Sequence, residues 1–148
     1  MLLLAGQFAV FKIINKNIRN KEMALSQYTI LVADYIPTDM MLFKILLNRA
    51  HCRLLFATDG FDVLCQVKEE HPDLILMDLY MPGMSGFEVA NALAQQEDTR
   101  KIPILYVIDM GDYPVFTPDG RLLTQKEYIE KPFHMHQLVK RILQRLAP

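Results

Sequence analysis

Cysteine is scarce: Cys52 and Cys65 are the only two in 148 residues, and no metal-ligand spacing relates them to a histidine. They read as buried free thiols of a reducing compartment, which excludes a disulfide scaffold and a zinc module. An excess of charge of one sign is missing too. The formal net charge is −1, so the basic surface that nucleic-acid phosphates require is absent. Nor is there a long apolar run. Met1–Val10 is apolar, but Gln7 and then Lys12 break it. It falls short of the ~20 residues that cross a bilayer and lacks the basic leader of a signal peptide. These absences point to a cytoplasmic protein with no membrane span and no nucleic-acid partner. What is present, 51% hydrophobic and 22% charged residues, is the composition of a globular chain with one domain's worth of core.

Pro72–Gly86 carries the strongest signal. The apolar run Leu74–Met77 is too short for a helix and reads as a strand buried on both faces, as in a parallel sheet flanked by helices. It delivers one carboxylate, Asp78, and then breaks into Leu79-Tyr-Met-Pro-Gly. Ile30-Leu-Val-Ala-Asp34 and Ile102-Pro-Ile-Leu-Tyr-Val-Ile108-Asp109 repeat the pattern, and Tyr128-Ile-Glu-Lys131-Pro132 ends in a lysine. In sheets of this kind the reactive crevice lies outside the carboxyl ends of the strands. Asp34, Asp78 and Lys131 would meet there.

Strands at 29–33, 54–57, 74–78, 103–108 and 128–130 alternate with helices at 38–49, 61–70, 87–96 and 135–146. Asp59 is a helix N-cap in this reading, and Ser85 with Glu88 makes a capping box. One link breaks the alternation. Gly111-Asp-Tyr-Pro114-Val-Phe-Thr-Pro118-Asp-Gly120 cannot sustain a regular helix, and Pro118-Asp119-Gly120 reads as a turn joining two extended segments. Residues 1–26 form either an added amphipathic helix, with Leu4, Phe8, Phe11 and Ile18 at helical spacing, or an extension; residues 27–148 make the main domain. The 38–49 helix is apolar on nearly every side, with Met41 and Ile45 turned outward. The N-terminal segment is the nearest candidate to cover it. His134 and His136 are two apart and would face different ways on a helix, which argues against a metal site there.

Taken together, these motifs resemble the CheY-like receiver domain of two-component response regulators, from about Gln27 onward. The resemblance implies an α/β fold: a flavodoxin-like, doubly wound, five-stranded parallel sheet, here with a shortened or missing fourth helix and a small hairpin instead. It implies Asp78 as phosphoacceptor from a sensor histidine kinase and Mg²⁺ held by Asp34, Asp78 and the Tyr80 carbonyl. It further implies Lys131 pairing with phosphoryl oxygens, and a candidate cis bond at Lys131-Pro132. The switch positions are Ile108 and Tyr128.

Two departures from the family are visible. The second acid after strand one, a metal ligand in the family, is Tyr35, so weak Mg²⁺ binding is expected; Asp39, one turn on, is a candidate substitute. The relay hydroxyl that should end strand four is replaced by Ile108, followed by Asp109. A carboxylate about 4 Å from an incoming phosphoryl group repels it by ~1 kcal/mol in water and about 4 at an effective dielectric of about 20. Without its partner hydroxyl, Tyr128 reads equally as a switch aromatic and as a core aromatic. The expected function is therefore a receiver-like, atypical (pseudo-receiver) module, not an enzyme. It would act by contact with a histidine kinase or another signalling protein, with weakened or absent phosphorylation at Asp78 and no output domain following. A functional regulator phosphorylated on Asp78 is the alternative. A homodimer through the N-terminal helix or the 38–49 helix is open. An aspartate-nucleophile phosphohydrolase is the distant rival, and Tyr80 stands where such enzymes carry their second aspartate.

Overall fold

A computed structural model describes residues 2–148, with side chains from Leu4 onward. The elements follow as α1 (Leu2–Met23), β1 (Thr29–Ala33), α2 (Pro37–Asn48), β2 (Arg53–Ala57), α3 (Gly60–Glu70), β3 (Leu74–Asp78), α4 (Gly86–Ala94), β4 (Ile104–Ile108), β5 (Tyr128–Glu130) and α5 (Met135–Leu146). All strand pairs are parallel, in the order β2-β1-β3-β4-β5. The order reverses between β1 and β3, the switch point where open α/β sheets bind their ligands.

The apolar runs become strands because both faces are covered. Leu31, Ala33, Ile75, Met77, Tyr106 and Ile108 point to one face, where Val63 and Val67 of α3 and Val89 and Leu93 of α4 pack. Ile30, Val32, Leu74, Leu76, Leu105 and Val107 point to the other, against Phe43 and Leu47 of α2 and Leu138, Val139 and Ile142 of α5. Each such side chain removed from water contributes roughly 1.5–3 kcal/mol, which overrides the weak helix propensity of leucine-rich runs.

No helix forms between β4 and β5. Phe116 and Leu122 pair as an antiparallel bridge, closed by hydrogen bonds from Thr117 N to Arg121 O and from Leu123 N to Val115 O. Val115 and Leu123 are buried on the α3/α4 face and fill the space of the missing helix. Gly120 turns the hairpin at a φ of 86°, which a side chain would strain. Arg121 reaches Glu127 with two parallel hydrogen bonds of 2.9 and 3.0 Å and ties the hairpin to the start of β5.

Three expectations need correction. Cys65 is exposed and Cys52 only half-buried, because Cys65 falls on the outer side of α3. The α1 helix lies against α5, so Met41 and Ile45 of α2 stay uncovered at 64% and 61% exposure. The rings of His134 and His136 are parallel with centroids 5.9 Å apart. His134 precedes α5 in extended backbone, so helical geometry does not separate the two.

Candidate functional site

Three strand ends build the site. Ala33 pairs with Met77 across β1–β3, which sets Asp34 beside Asp78. Ile108 pairs with Glu130 across β4–β5, and the Lys131 amide donates to the Ile108 carbonyl at 2.8 Å. Lys131 therefore leaves the sheet at the same edge as the two aspartates. The Lys131-Pro132 bond is cis, as is Tyr113-Pro114.

Each aspartate is fixed by the chain just after it. Asp34 Oδ1 accepts from the Ile36 amide at 2.9 Å, and Asp78 Oδ1 accepts from the Tyr80 amide at 3.0 Å. Asp34 Oδ2 is buried with no hydrogen-bond partner among the described residues. Its nearest cation is Lys131 Nζ, at 3.5 Å. Burial pushes both carboxyls above the ordinary carboxylate value; the amide bonds and the Lys131 charge pull the other way without cancelling it. The loop beyond Asp78 is closed by the Gly86 amide donating to the Leu79 carbonyl at 2.9 Å. A Cβ at Gly86 would come within 2.5 Å of the Asp78 carbonyl oxygen, so glycine is what lets α4 start this close to the site. The Ser85–Glu88 capping box is present as read from the sequence.

Lys131 is shared among three acids. Its Nζ lies 2.5 Å from Asp39 Oδ2, 3.5 Å from Asp34 and 3.7 Å from Asp109. Burial works against its charge, but the Asp39 hydrogen bond and these carboxylates outweigh that and move its pKa upward. Asp39 is thus drawn to the lysine, on the first turn of α2.

These residues sit in a stretch that matches the family model for the response regulator receiver domain, over residues 30–143. The chain belongs to that family. It is 30% identical to protein PilH of Pseudomonas aeruginosa over 113 residues, 76% of this chain and 93% of that protein. It is 29% identical to the polar-differentiation response regulator DivK of Brucella ovis over 117 residues, 77% and 92% of the two chains. Among solved structures, the Vibrio cholerae chemotaxis protein CheY4 superposes with a TM-score of 0.65 at 25% identity, covering 81% of this chain and 98% of that one. The receiver domain of a sensor histidine kinase from Pseudomonas aeruginosa, with a magnesium ion in its active-site cleft, superposes with a TM-score of 0.68 at 25% identity, covering 80% and 96%.

Within this receiver, the remaining positions read from the sequence are placed as follows. Tyr35 is exposed. Tyr80 is also exposed, with its amide on Asp78. Ile108 is fully buried in the α3/α4 core. Tyr128 is buried and its ring stacks on Tyr113, centroids 5.6 Å apart at 27°. That stacking, the Asp39–Lys131 pair and the Arg121–Glu127 clamp were not legible in the sequence. Each joins residues with no local pattern between them.

Among the described residues, no three His, Cys, Asp or Glu side chains converge as a metal cluster. The acid pair still suits Mg²⁺ when a carbonyl and waters complete the oxygen set, and the orphaned Asp34 Oδ2 marks where a hard cation would be welcome.

Proposed function

We propose that residues 27–148 form an atypical receiver module of two-component signalling, with residues 1–26 an added segment, and that phosphorylation at Asp78 is weakened rather than lost. The observation that carries this reading is the occupied lysine: Lys131 Nζ is hydrogen-bonded to Asp39 at 2.5 Å and has no ion pair with Asp78 within 4.0 Å. A phosphoryl group arriving at Asp78 must draw Lys131 away from Asp39 before the lysine can pair with it.

In this mechanism an Asp78 carboxylate oxygen attacks phosphorus, the bond to the donor breaks, and an acyl phosphate remains on Asp78. Burial raises the Asp78 pKa against the pull of the Tyr80 amide and the Lys131 charge. Asp34, Asp78 and the Tyr80 carbonyl would hold Mg²⁺, which supplies charge neutralisation and orientation of oxygens when bound. With Tyr35 in place of a second acid, that affinity is low. Ile108 offers no hydroxyl to report the phosphoryl group to β4, and Tyr128 is held by Tyr113. Output then rests on contact surfaces, with a sensor kinase or another signalling protein as partner, and α2 presents Met41 and Ile45 for it.

The test is intact mass after incubation with a small phosphodonor and Mg²⁺, with Asp78→Asn as control. A slow, partial gain of one phosphoryl group, absent from the control and raised by Tyr35→Asp, supports the reading. Rapid, complete phosphorylation of the natural chain would make it an ordinary phosphoacceptor. No gain even with Tyr35→Asp would make it a binding module only.

A further inference from the structure

The α1 helix lies before the residues that match the receiver model. Its C-terminal half is moored to the domain: Glu22 is buried and Ile18 half-buried, beside Val139 and Lys140 of α5. Its N-terminal half stands in solvent. Leu4, Phe8, Val10, Phe11, Ile13 and Ile14 are each 50–65% exposed. Leu4, Phe8, Phe11 and Ile14 follow at spacings of four and three along one side, Val10 and Ile13 widen that side, and Lys12, Lys16 and Arg19 occupy the other. Apolar residues on one side and bases on the other are the pattern of a helix that seats itself at a membrane surface.

Charge narrows the occupant. The helix carries Lys12, Lys16, Arg19 and Lys21 against Glu22 alone, a net +3 within a chain of net −1, so the rest of the chain is −4. Lys12, Lys16 and Arg19 follow at spacings of four and three, on one exposed face just past the apolar end. A second copy packed on the apolar side, parallel or antiparallel, leaves these bases turned outward. Neither arrangement supplies an acid. A membrane surface with anionic headgroups meets both demands, since acyl chains surround the apolar end and the headgroups pair with the bases. Depth agrees. Leu4 to Phe11 spans about 10 Å at 1.5 Å per residue, a third of a hydrocarbon core of about 30 Å. Among the described residues no helix is long and apolar enough to cross a membrane.

We propose that α1 is a lipid anchor that docks this receiver on an anionic phospholipid surface. Leu4 to Phe11 insert into one leaflet, and Lys12, Lys16, Arg19 and Lys21 lie at headgroup level.

The test is co-sedimentation of the full chain with vesicles of phosphatidylcholine alone and of phosphatidylcholine mixed with phosphatidylglycerol, at low and high salt. Binding should be strong only to the mixed vesicles and should weaken with salt. Leu4→Ser/Phe8→Ser/Phe11→Ser should abolish it, and Lys16→Gln/Arg19→Gln should weaken it by roughly tenfold or more. Both variants should melt at the temperature of the natural chain, since these side chains are exposed. Absence of binding to mixed vesicles by the folded chain would overturn the proposal, as would equal binding by the triple variant. A doubled mass in solution that the triple variant returns to monomer, without vesicle binding, would assign the helix to a second copy and equally refute the anchor.

Discussion

The two rims of the receiver pocket are built differently. On the β1–β3 side, Asp34 and Asp78 are each fixed by one local amide, and Gly86 lets α4 press against the Asp78 backbone. On the β4–β5 side, long-range contacts do the work: Val115 and Leu123 of the hairpin in the α3/α4 core, Arg121 on Glu127, and Tyr113 on Tyr128. In the proposed reading the first rim holds the acids that would receive a phosphoryl group, and the second carries a packed apolar and ionic brace at the position of the family's relay hydroxyl, so reception and relay would be separable pieces of the fold.

The largest expected effect lies on the braced side. Leu123→Ala empties a fully buried site and should cost about 3 kcal/mol in urea unfolding. If the rims are separable, the folded variant keeps its phosphodonor yield at Asp78; a matching loss of yield would join the two rims into one unit. On the opposite rim, Gly86→Ala forces backbone apart at Asp78, with an expected cost of about 2 kcal/mol. Here the phosphodonor yield should fall together with stability.

Asp78→Asn should act in the other sense. Burial raises the Asp78 pKa, so its folded value lies above its unfolded one, and stability is lost as pH rises through the folded value. The asparagine variant should melt higher than the natural chain at neutral pH. The gap should close in acid. Equal melting temperatures at every pH would show that Lys131 already offsets the buried charge.

The smallest effect is at the clamp. Glu127 is held at a pKa of about 2, well below the usual 4.5, chiefly by its hydrogen bonds with Arg121. Its contribution is complete above the unfolded value and lost as pH falls toward the folded one. Because Arg121 is half-exposed, Glu127→Gln should cost only about 0.5–1 kcal/mol at neutral pH. The difference should vanish in an acid melt near the folded value.

The sequence by itself determined the strands and the location of the crevice. Runs such as Leu74–Met77 have no polar side to present, so they must lie between two helical layers, and the acid that ends each must emerge at the sheet edge. It also determined the absence of a helix between β4 and β5, because Pro114, Pro118 and Gly120 forbid one locally. The caps at Asp59 and Ser85 were legible for the same reason, since a cap is an interaction across three residues. Only the tertiary structure decided who holds Lys131. Asp39 lies 92 positions away in sequence, and its pairing depends on how α2 docks on the sheet. The stacking of Tyr113 on Tyr128, the docking of α1 on α5 and the exposure of Cys65 belong to the same class. Local chemistry limits what a segment can become. Which distant side chains meet is settled by packing all the segments at once, and no short window of sequence contains that information.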